Sequence, residues 1–372
     1  MVDTNKPKDI SEQPEVAKAD PVLSVEESPV SPMQTSSTNT DKPPRKKREP
    51  MPPLKILSST STDPKPTPNI DEIDIEGNFM FGKSQYAKVS YEDLEQLDVI
   101  GQGQFATVYK MRSISTGHII AIKKMQLSVD HPHQTTSSAL EDAKVLRQTQ
   151  SCPYIINFYG TFLHEGQIYL GEELMDSSLD KVLKVVYTNK ETFSEGALKK
   201  IAFSVISALD FLLKINYMHR DIKPSNILIN TKGEIKLCDM GIAGYLVENH
   251  ANTKVGTTAY LAPERIISTG QYTYVSDLWA FGVTMYELAT GVQPYMKRDK
   301  MSIFEIIIAI TKSPPPNPPS DRSPEFGEVV KSCLSLDCDS RPSYEALLKH
   351  PFLCDALTDP FDMGAWFSGM KM

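Results

Sequence analysis

The sequence predicts an α+β protein with two lobes: a small antiparallel sheet with one main helix, followed by a larger, mainly helical lobe. Two observations carry this prediction. Short apolar segments separated by glycine turns dominate residues 94–172, and apolar residues at helical spacing dominate the chain after about residue 176. The two lobes are expected to join near residues 173–176 and to leave a cleft between them.

The first 78 residues are predicted to form a disordered tail. They contain 13 of the chain's 27 prolines and many Ser and Thr, and the first aromatic residue of the chain is Phe79. Such a segment buries too little apolar surface to offset the entropy that it would lose on ordering. The remaining residues are numerous enough to form a two-lobed core.

Local patterns predict the elements of the sheet lobe. A helix is expected near residues 137–148, where Leu140, Ala143 and Leu146 recur at helical spacing. Gly117 marks a turn between two of the expected strands. These strands are expected over residues 97–100, 107–111, 119–123, 156–163 and 167–171.

The second lobe is predicted to be helical because its apolar residues recur every three or four positions. The pattern is strongest between Leu198 and Leu212. Helices are also expected over residues 275–290 and 302–310. Five prolines within residues 314–319 require an extended loop there.

Composition excludes several functional classes. The net charge is −8 and no long basic stretch tracks a phosphate backbone, so nucleic acid is not the expected partner. No apolar run is long enough to span a bilayer, and the N-terminus is polar, which argues against a secretory signal. The five cysteines show no pairwise metal pattern, and their odd number fits a reduced protein. A cytoplasmic protein without a membrane partner is therefore expected.

The segment Gly101-Gln102-Gly103 follows the first predicted strand of the sheet. On its own it is weak evidence, because ordinary turns look the same. Its functional interpretation is a hairpin whose backbone approaches phosphates, since glycine has no Cβ. This interpretation gains weight from Lys123, which follows Ala121 on the third strand and can reach phosphate oxygens from there.

The sharpest signal is the polar run that contains Asp221, Lys223 and Asn226. Asp221 can accept the proton of an attacking hydroxyl, and Lys223 can neutralise charge on a phosphoryl group in transfer. Asn226 offers an amide oxygen to Mg²⁺, a hard cation that prefers oxygen ligands. Asp239 ends a predicted strand over residues 234–238 and offers a second oxygen ligand.

In this order, these motifs resemble those of eukaryotic protein kinases over residues 94–353. The resemblance implies the bilobal protein kinase fold, with an N-lobe at 94–172, a hinge at 173–176 and a C-lobe at 177–353. It implies ATP and Mg²⁺ as cofactors, with Asn226 and Asp239 as metal ligands and with Lys123, Asp221, Lys223 and Asn226 as catalytic residues. The residues expected to bind the nucleotide are Ile100, Gly101, Gln102, Gly103, Val108, Ala121, Lys123, Glu173, Met175, Leu228 and Asp239.

The resemblance also implies two structural ion pairs. The acidic partner of Lys123 is expected on the first helix, where the register points to Asp142. Arg341 is expected to pair with Glu264 of the Ala-Pro-Glu motif.

Finer details are similar to the mitogen-activated protein kinase kinases. The position of Lys223, two residues after Asp221, is typical of serine/threonine or dual-specificity kinases rather than tyrosine kinases. The resemblance implies that the enzyme phosphorylates a Thr and a Tyr in the activation loop of a downstream MAP kinase. It also implies activation by an upstream MAP kinase kinase kinase, with Thr253 as the phosphoacceptor.

Both ends of the chain carry candidate docking segments. The tail contains a cluster of basic and aliphatic residues with three possible interpretations: a solvated basic segment, a nuclear import signal, or a peptide that docks a MAP kinase. Nuclear import is therefore left open. Residues 360–367, within the C-terminal extension 354–372, resemble a segment that docks the upstream kinase, but a helix packed on the lobe is equally compatible. The tail cluster consists of Arg45, Lys46, Lys47, Arg48, Leu54 and Ile56.

Several positions depart from the family pattern. Ala106 replaces the third loop glycine, Asn249 replaces a phosphoacceptor, and Thr257 has the general serine/threonine kinase form. Glu172 stands where an apolar residue normally precedes the hinge, and a buried carboxylate there is expected to need a partner or water. Two rival hypotheses remain: a general serine/threonine kinase with another substrate, and a pseudokinase scaffold that binds MAP kinases.

Overall fold

The computed structural model describes residues 74–82, 84–103, 106–125, 132–240, 255–267, 273–296 and 301–370. The chain divides into units 1–63 and 64–372, and every described residue belongs to the second unit. The basic tail cluster, Asn249 and Thr253 lie outside the described residues. Within them, a lobe built on strands is followed by a lobe built on helices, so the predicted α+β bilobal fold is confirmed.

The first lobe is a five-stranded antiparallel sheet in the order β3-β4-β5-β7-β6. On β5, Ile120 and Ile122 are fully buried in an outer apolar cluster, and alternation along the strand places Lys123 on the opposite face. The strands are β3 (Leu94–Gln102), β4 (Ala106–Ser113), β5 (Ile119–Met125), β6 (Phe158–His164) and β7 (Gln167–Glu172).

A hairpin that the sequence analysis did not predict covers the outer face of this sheet. It consists of β1 (Asn78–Phe81) and β2 (Gln85–Lys88). Phe79 is fully buried against Gly160 and Gly171, where a Cβ would lie 2.6 and 2.2 Å from the Phe79 ring. The two glycines therefore leave the space on the sheet that this ring fills.

The predicted tail boundary at residue 78 needs a correction. Residues 74–78 already lie against the sheet, where Gly77 donates a backbone hydrogen bond to Thr161 at 2.9 Å and Glu76 bridges to Phe162. The composition of the tail could not predict this contact, because the partners of residues 76 and 77 lie on β6, more than 80 residues later in the chain.

The main helix of the first lobe, α1 (Pro132–Gln148), begins before the predicted range of 137–148 and ends where expected. It lies against β6 and β7. Asp142, Ala143 and Leu146 on this helix are buried. The helix therefore turns its buried face towards the sheet that carries Lys123.

The second lobe has a core of helices, with a small three-stranded sheet next to the hinge. Trp279 and Phe281 are fully buried in its largest apolar cluster. The small sheet contains β8 (Ser177–Ser178), β9 (Ile227–Ile229) and β10 (Ile235–Leu237). The helices are α2 (Leu179–Thr188), α3 (Glu195–Lys214), α4 (Val255–Thr258), α5 (Pro263–Ile267), α6 (Tyr274–Thr290), α7 (Ile303–Lys312), α8 (Pro324–Cys333), α9 (Tyr344–Leu348) and α10 (Met363–Ser368).

The ends of these helices follow the local sequence. Ser302 and Glu305 form a capping box at the start of α7, and Gly291 ends α6 in the left-handed region at φ 74°. Residues 314–319 contain neither helix nor strand, as their prolines predicted. Among the described residues, no helix is long and apolar enough to cross a membrane.

The C-terminal extension packs on the second lobe. Met363 and Phe367 of α10 are buried, and the Trp366 ring lies 5.3 Å from the Phe193 ring. Lys199 of α3 binds Asp359 at 2.9 Å. These contacts support the interpretation of a packed helix, while docking of an upstream kinase on this segment stays a prediction.

Candidate active site

A buried carboxylate holds the loop that carries Asp221. Asp277, in the first turn of α6, accepts hydrogen bonds from the backbone N–H groups of His219 and Arg220 at 3.0 and 2.8 Å. His219 Nδ1 accepts from the Asp221 N–H, so the proton is on Nε2, which lies 3.0 Å from the Cys238 carbonyl. Burial lowers the pKa of His219, which keeps the ring neutral. The loop is thus fixed from both sides.

The Asp221 carboxylate is oriented by two residues of its own loop. Lys223 Nζ lies 2.7 Å from Oδ2, and Asn226 Nδ2 donates to the same oxygen at 2.9 Å. Asn226 Nδ2 also donates to the Asp221 carbonyl at 2.8 Å. No hydrogen bond from a described residue engages Oδ1, so this oxygen is available to accept one from a substrate hydroxyl.

The segment that contains α4 lies beside this loop. Lys223 Nζ is 3.3 Å from Thr257 Oγ1, which links the two segments directly. Further along, the Tyr260 hydroxyl donates to Glu287, and Gln293 Nε2 donates to the Ala259 carbonyl at 2.8 Å. Residues 259–260 are thus bonded to α6 and the residues after it, while Thr257 contacts the loop that carries Asp221.

The expected ion pair between Lys123 and Asp142 is not formed. Lys123 Nζ binds Asp239 Oδ1 at 2.7 Å, while Asp142 Oδ2 is buried with no hydrogen-bond partner. Burial raises the pKa of Asp142 well above its usual range, although Lys123 partly offsets this. Asp is one methylene shorter than Glu, and at this position its carboxylate makes no ion pair with Lys123.

Lys123 is nevertheless surrounded by negative charge. Burial alone would lower its pKa, but attraction to Asp239, Glu172 and Asp142 raises the pKa above the ordinary value for lysine. Lys123 in turn lowers the pKa of Asp239. The ammonium and the Asp239 carboxylate are therefore both charged at neutral pH.

Glu172 is buried at the end of β7, and no described residue gives its carboxylate a hydrogen bond or ion pair. Burial raises the pKa of its carboxyl to about 7, with Lys123 acting in the opposite direction and Asp239 in the same one. Of the partner or water expected from the sequence, the partner is not present among the described residues, and burial favours the protonated form of the carboxyl.

The glycine segment begins in register with Lys123, two strands away in the same sheet. Gly101 pairs with Val108 across β3 and β4, and Val108 pairs with Lys123 across β4 and β5. The Gly103 N–H donates to the Ala106 carbonyl at 2.8 Å, which closes the hairpin. Ala106 is buried, so its methyl group packs into the lobe.

The expected nucleotide wall comes from both lobes and the hinge. Ile100 is partly buried and Gln102 is exposed on the sheet side, and Leu228 is partly buried on β9. The Glu173 N–H is already bonded to the Asn157 carbonyl at 2.8 Å.

Among the described residues, no hydrogen bond engages the Met175 N–H or the Glu173 carbonyl. These two main-chain groups of the hinge are free to bind a planar ligand. Ala121 pairs with Glu172 next to them and is buried.

Asn226 and Asp239 are brought together by the end of β10. The Cys238 N–H donates to the Asn226 carbonyl at 3.0 Å, which places the residue before Asp239 against Asn226. Among the described residues, no group of three or more His, Cys, Asp and Glu side chains could hold a metal ion. An amide and a carboxylate oxygen fit a hard divalent cation that takes its other ligands from phosphate and water.

Arg341 and Glu264 form a buried bidentate ion pair. Arg341 Nη1 and Nη2 lie 2.7 and 2.8 Å from the two Glu264 oxygens, and Nη1 also donates to the Val275 carbonyl at 2.7 Å. The guanidinium lies over the Trp279 ring at 5.1 Å. The pair joins α5 to the core of the helical lobe, which is the structural role that the resemblance implied.

Sequence reasoning assigned no role to Asp277, although this residue fixes the catalytic loop. The sequence did contain a signal for such a role, because Asp277 is an acidic residue at the start of a strongly apolar helix. A carboxylate buried there without a partner would be costly, so a partner could have been expected. The sequence analysis also assigned no role to Lys236, which is buried on β10.

Comparisons with known proteins agree with this geometry. Residues 94–353 match the family described as "Protein kinase domain". The chain is 36% identical over 299 residues to dual specificity mitogen-activated protein kinase kinase 7 of Rattus norvegicus, over 78% of this chain and 70% of that protein. The chain belongs to the mitogen-activated protein kinase kinase family of protein kinases.

Two further relatives are matched over different shares of their own length. This kinase is 34% identical over 316 residues to dual specificity mitogen-activated protein kinase kinase sek-1 of Caenorhabditis elegans, over 83% of this chain and 92% of that protein. It is 35% identical over 300 residues to protein kinase wis1 of Schizosaccharomyces pombe, over 78% of this chain. The matched part spans 48% of wis1, about half its length.

Proposed function

We propose that this kinase transfers the terminal phosphoryl group of ATP to a Thr and a Tyr in the activation loop of a MAP kinase. The observation that carries the proposal is the Asp221 carboxylate, held through Oδ2 by Lys223 and Asn226 with Oδ1 left available. Two similar proteins bear the description dual specificity mitogen-activated protein kinase kinase, which supports the substrate class.

Each polar group at the site has a distinct task. Asp221 Oδ1 orients the substrate hydroxyl and accepts its proton as the oxygen attacks phosphorus. Lys223, bound to the other carboxylate oxygen, places positive charge beside the phosphoryl group. Lys123, whose raised pKa keeps it charged, binds phosphate oxygens.

Mg²⁺ is the proposed metal ion, because the side chains that would hold it offer only oxygen. Asn226 and Asp239 would be its protein ligands. When bound, such an ion neutralises negative charge on the phosphates. Asp239 would then bind the ion in place of Lys123, and the Lys123 ammonium would be free to bind the nucleotide.

The test is a phosphorylation assay with purified full-length candidate MAP kinases, in which phosphothreonine and phosphotyrosine are mapped separately by mass spectrometry. The proposal expects both residues of one activation loop to be labelled. Substrates in which either residue is replaced by Ala or Phe serve as matched controls.

A serine/threonine kinase with another substrate is the second candidate. The contact of Thr257 Oγ1 with Lys223 Nζ favours this candidate, because a Thr at this position is typical of serine/threonine kinases in general. In the same assay this candidate predicts phosphothreonine or phosphoserine without phosphotyrosine.

The pseudokinase scaffold has less support. Glu172 near Lys123 is unusual, and the pair of Lys123 with Asp142 is not made. However, Lys123 is bonded to Asp239, and Lys223 and Asn226 are bonded to Asp221, an arrangement that supports phosphate transfer over a scaffold role. A scaffold predicts binding of a MAP kinase with no phosphate transfer to any residue.

We also propose that an upstream MAP kinase kinase kinase phosphorylates Thr253, which lies outside the described residues. The phosphate would add about −1.5 to −2 charges. A Thr253→Ala variant is expected to stop responding to the upstream kinase, whereas Thr188→Ala, at an exposed position on α2, should respond normally. Normal activation of Thr253→Ala in cells would refute this assignment.

The tail cluster is proposed to dock the MAP kinase, with its cations on an acidic patch and Leu54 and Ile56 in an apolar groove. Deletion of residues 45–48 should weaken binding of the MAP kinase. Replacing Lys6 and Lys8 by Ala removes charge from the same tail and serves as the control. If the deletion changes nuclear import but not this affinity, the docking proposal fails.

A further inference from the structure

We infer that Lys236 is a positioning residue for the nucleotide, acting through a buried contact with Glu173 at the hinge. The contact involves Lys236 on β10, Glu173 at the start of the hinge and Asn157 before β6, which we call the hinge latch. The inference rests on the proposed nucleotide site and adds a residue that does not itself touch the nucleotide.

The hinge latch is made of short hydrogen bonds in a buried setting. Lys236 Nζ lies 2.6 Å from Glu173 Oε2, and the two side chains are 6% and 17% exposed. Asn157 Nδ2 donates to the same oxygen at 2.8 Å. The Glu173 N–H donates in turn to the Asn157 carbonyl at 2.8 Å. Glu173 is therefore held by its backbone and its side chain together.

The latch adds side-chain contacts to three segments that backbone hydrogen bonds already place side by side. Residues 154–157 run beside β10, where the Leu237 N–H donates to the Tyr154 carbonyl and the Ile156 N–H donates to the Leu237 carbonyl, both at 2.9 Å. Lys236 precedes Leu237 on the same strand. The hinge is thus tied to β10, the strand that leads to Asp239.

A separate contact fixes the other end of the hinge. Asp176 Oδ2 accepts from the Thr231 N–H at 2.7 Å and from the Thr231 hydroxyl at 3.1 Å. The Asp176 N–H donates to the Ile229 carbonyl at 3.1 Å. With both ends held, the free main-chain groups of Glu173 and Met175 keep one orientation.

Loss of Lys236 would leave the Glu173 carboxylate buried with an amide but no cation. A carboxylate in this position turns towards solvent, because an uncompensated buried charge is costly. The main chain of Glu173 would turn with it, and the carbonyl that faces the adenine site would move. Lys123 and Asn226 lie on other segments. Asp239 follows Lys236 at the end of the same strand, but the Cys238 N–H is bonded to the Asn226 carbonyl and β10 is paired with β9, so the phosphate and metal end of the site would stay in place.

The test uses the full-length kinase and three probes: ATP, adenosine and inorganic tripolyphosphate, each measured by calorimetry or by competition with a fluorescent nucleotide. In Lys236→Met, the affinities for ATP and for adenosine should fall together, by about tenfold, the scale of one lost charged hydrogen bond. The affinity for tripolyphosphate should change by less than about twofold, and kcat at saturating ATP should change little.

Two controls separate this effect from general damage. Lys232→Met removes an exposed lysine from the turn before β10 and should leave all three affinities unchanged. Lys236→Arg keeps a cation that can bind the carboxylate and should restore most of the adenosine affinity. If Lys236→Met does not fold, the double variant Lys236→Met/Glu173→Gln takes its place. It leaves no buried charge to turn towards solvent and should keep most of the adenosine affinity, because Asn157 can still donate to the amide oxygen, and a selective loss of adenosine affinity in this variant would contradict the proposed cause.

The inference is overturned if adenosine and tripolyphosphate weaken by the same factor, or if adenosine affinity is unchanged in a folded variant. It is also overturned if Lys236→Arg fails to restore adenosine binding. Failure of the proposed function looks different, because the unaltered kinase would then bind ATP without transferring phosphate or would not bind it at all.

Discussion

Lys123 Nζ lies 2.7 Å from Asp239 Oδ1, and the carboxylate that the family pattern assigns to this lysine, Asp142, is not paired with it. The lysine of the third sheet strand is thus bound to the residue that ends β10 rather than to the first helix. As a result, Asp142 contributes a buried carboxylate oxygen without a partner, and burial raises its pKa.

A longer side chain at position 142 should find the partner that Asp142 lacks. We predict that Asp142→Glu stabilises the kinase by about 1 kcal/mol, the net value of a typical intramolecular hydrogen bond. The measurement is urea unfolding at pH 7.5. Glu141→Asp changes length at the adjacent exposed position and should shift the free energy of unfolding by less than about 0.5 kcal/mol. If the Asp142→Glu variant is less stable than the unaltered kinase, the short side chain of Asp142 is not the reason why its ion pair with Lys123 is missing.

Glu172 makes stability depend on pH. Burial raises its pKa from 4.5 to about 7, so the native state holds a proton that the unfolded state releases between these values. Stability therefore falls as pH rises through this window, by about 3 kcal/mol for this group.

The Glu172→Gln variant should lose this part of the pH dependence. The measurement is the free energy of unfolding at pH 5 and pH 8 for the unaltered kinase and for the variant. Glu191→Gln, at an exposed position, should keep the pH dependence of the unaltered kinase. Equal pH dependence in Glu172→Gln and the unaltered kinase would contradict the assignment.

The pair of Arg341 and Glu264 should matter for stability and depend on its bidentate geometry. Lys cannot supply two parallel N–H groups to one carboxylate, so Arg341→Lys is predicted to cost about 3 kcal/mol. Urea unfolding measures this cost. Arg147→Lys, at an exposed position on α1, is the matched control and should cost almost nothing. A change below about 1 kcal/mol for Arg341→Lys would show that the second hydrogen bond contributes little.

Phe79 and Gly171 should be energetically coupled, because a Cβ at position 171 would lie 2.2 Å from the Phe79 ring. Phe79→Ala is predicted to cost about 3–5 kcal/mol. Gly171→Ala should also destabilise the lobe, since it displaces the ring. The double variant should cost less than the sum by at least about 1 kcal/mol, as measured in a double-mutant cycle. Phe79→Ala with Gly327→Ala, on α8, should be additive.

The parts of the site that are contiguous in the chain could be predicted from sequence. Asp221, Lys223 and Asn226 lie within six residues, and both of the other side chains bond to the Asp221 carboxylate. The roles expected for them in proton acceptance, charge neutralisation and metal binding stay predictions. The main sheet and the longer helices were predictable for the same reason, because apolar spacing is a local signal.

Contacts between distant segments could not be predicted in this way. Asp277 bonds His219 and Arg220 of the Asp221 loop across 58 and 57 residues, and Lys236 is 63 residues from Glu173. The hairpin β1–β2 has four-residue strands, and its position depends on two glycines in the later strands β6 and β7. In each case a buried partner decides the outcome, and no local pattern identifies that partner.

The central claim is that Asp221 is the group that accepts the substrate proton. The most direct measurement is phosphate transfer by Asp221→Asn together with its affinity for ATP. The account predicts that transfer falls by a factor of about 10² or more while ATP affinity stays within about threefold, because the nucleotide is held by the hinge and Lys123. Transfer at the rate of the unaltered kinase in this variant would contradict the account.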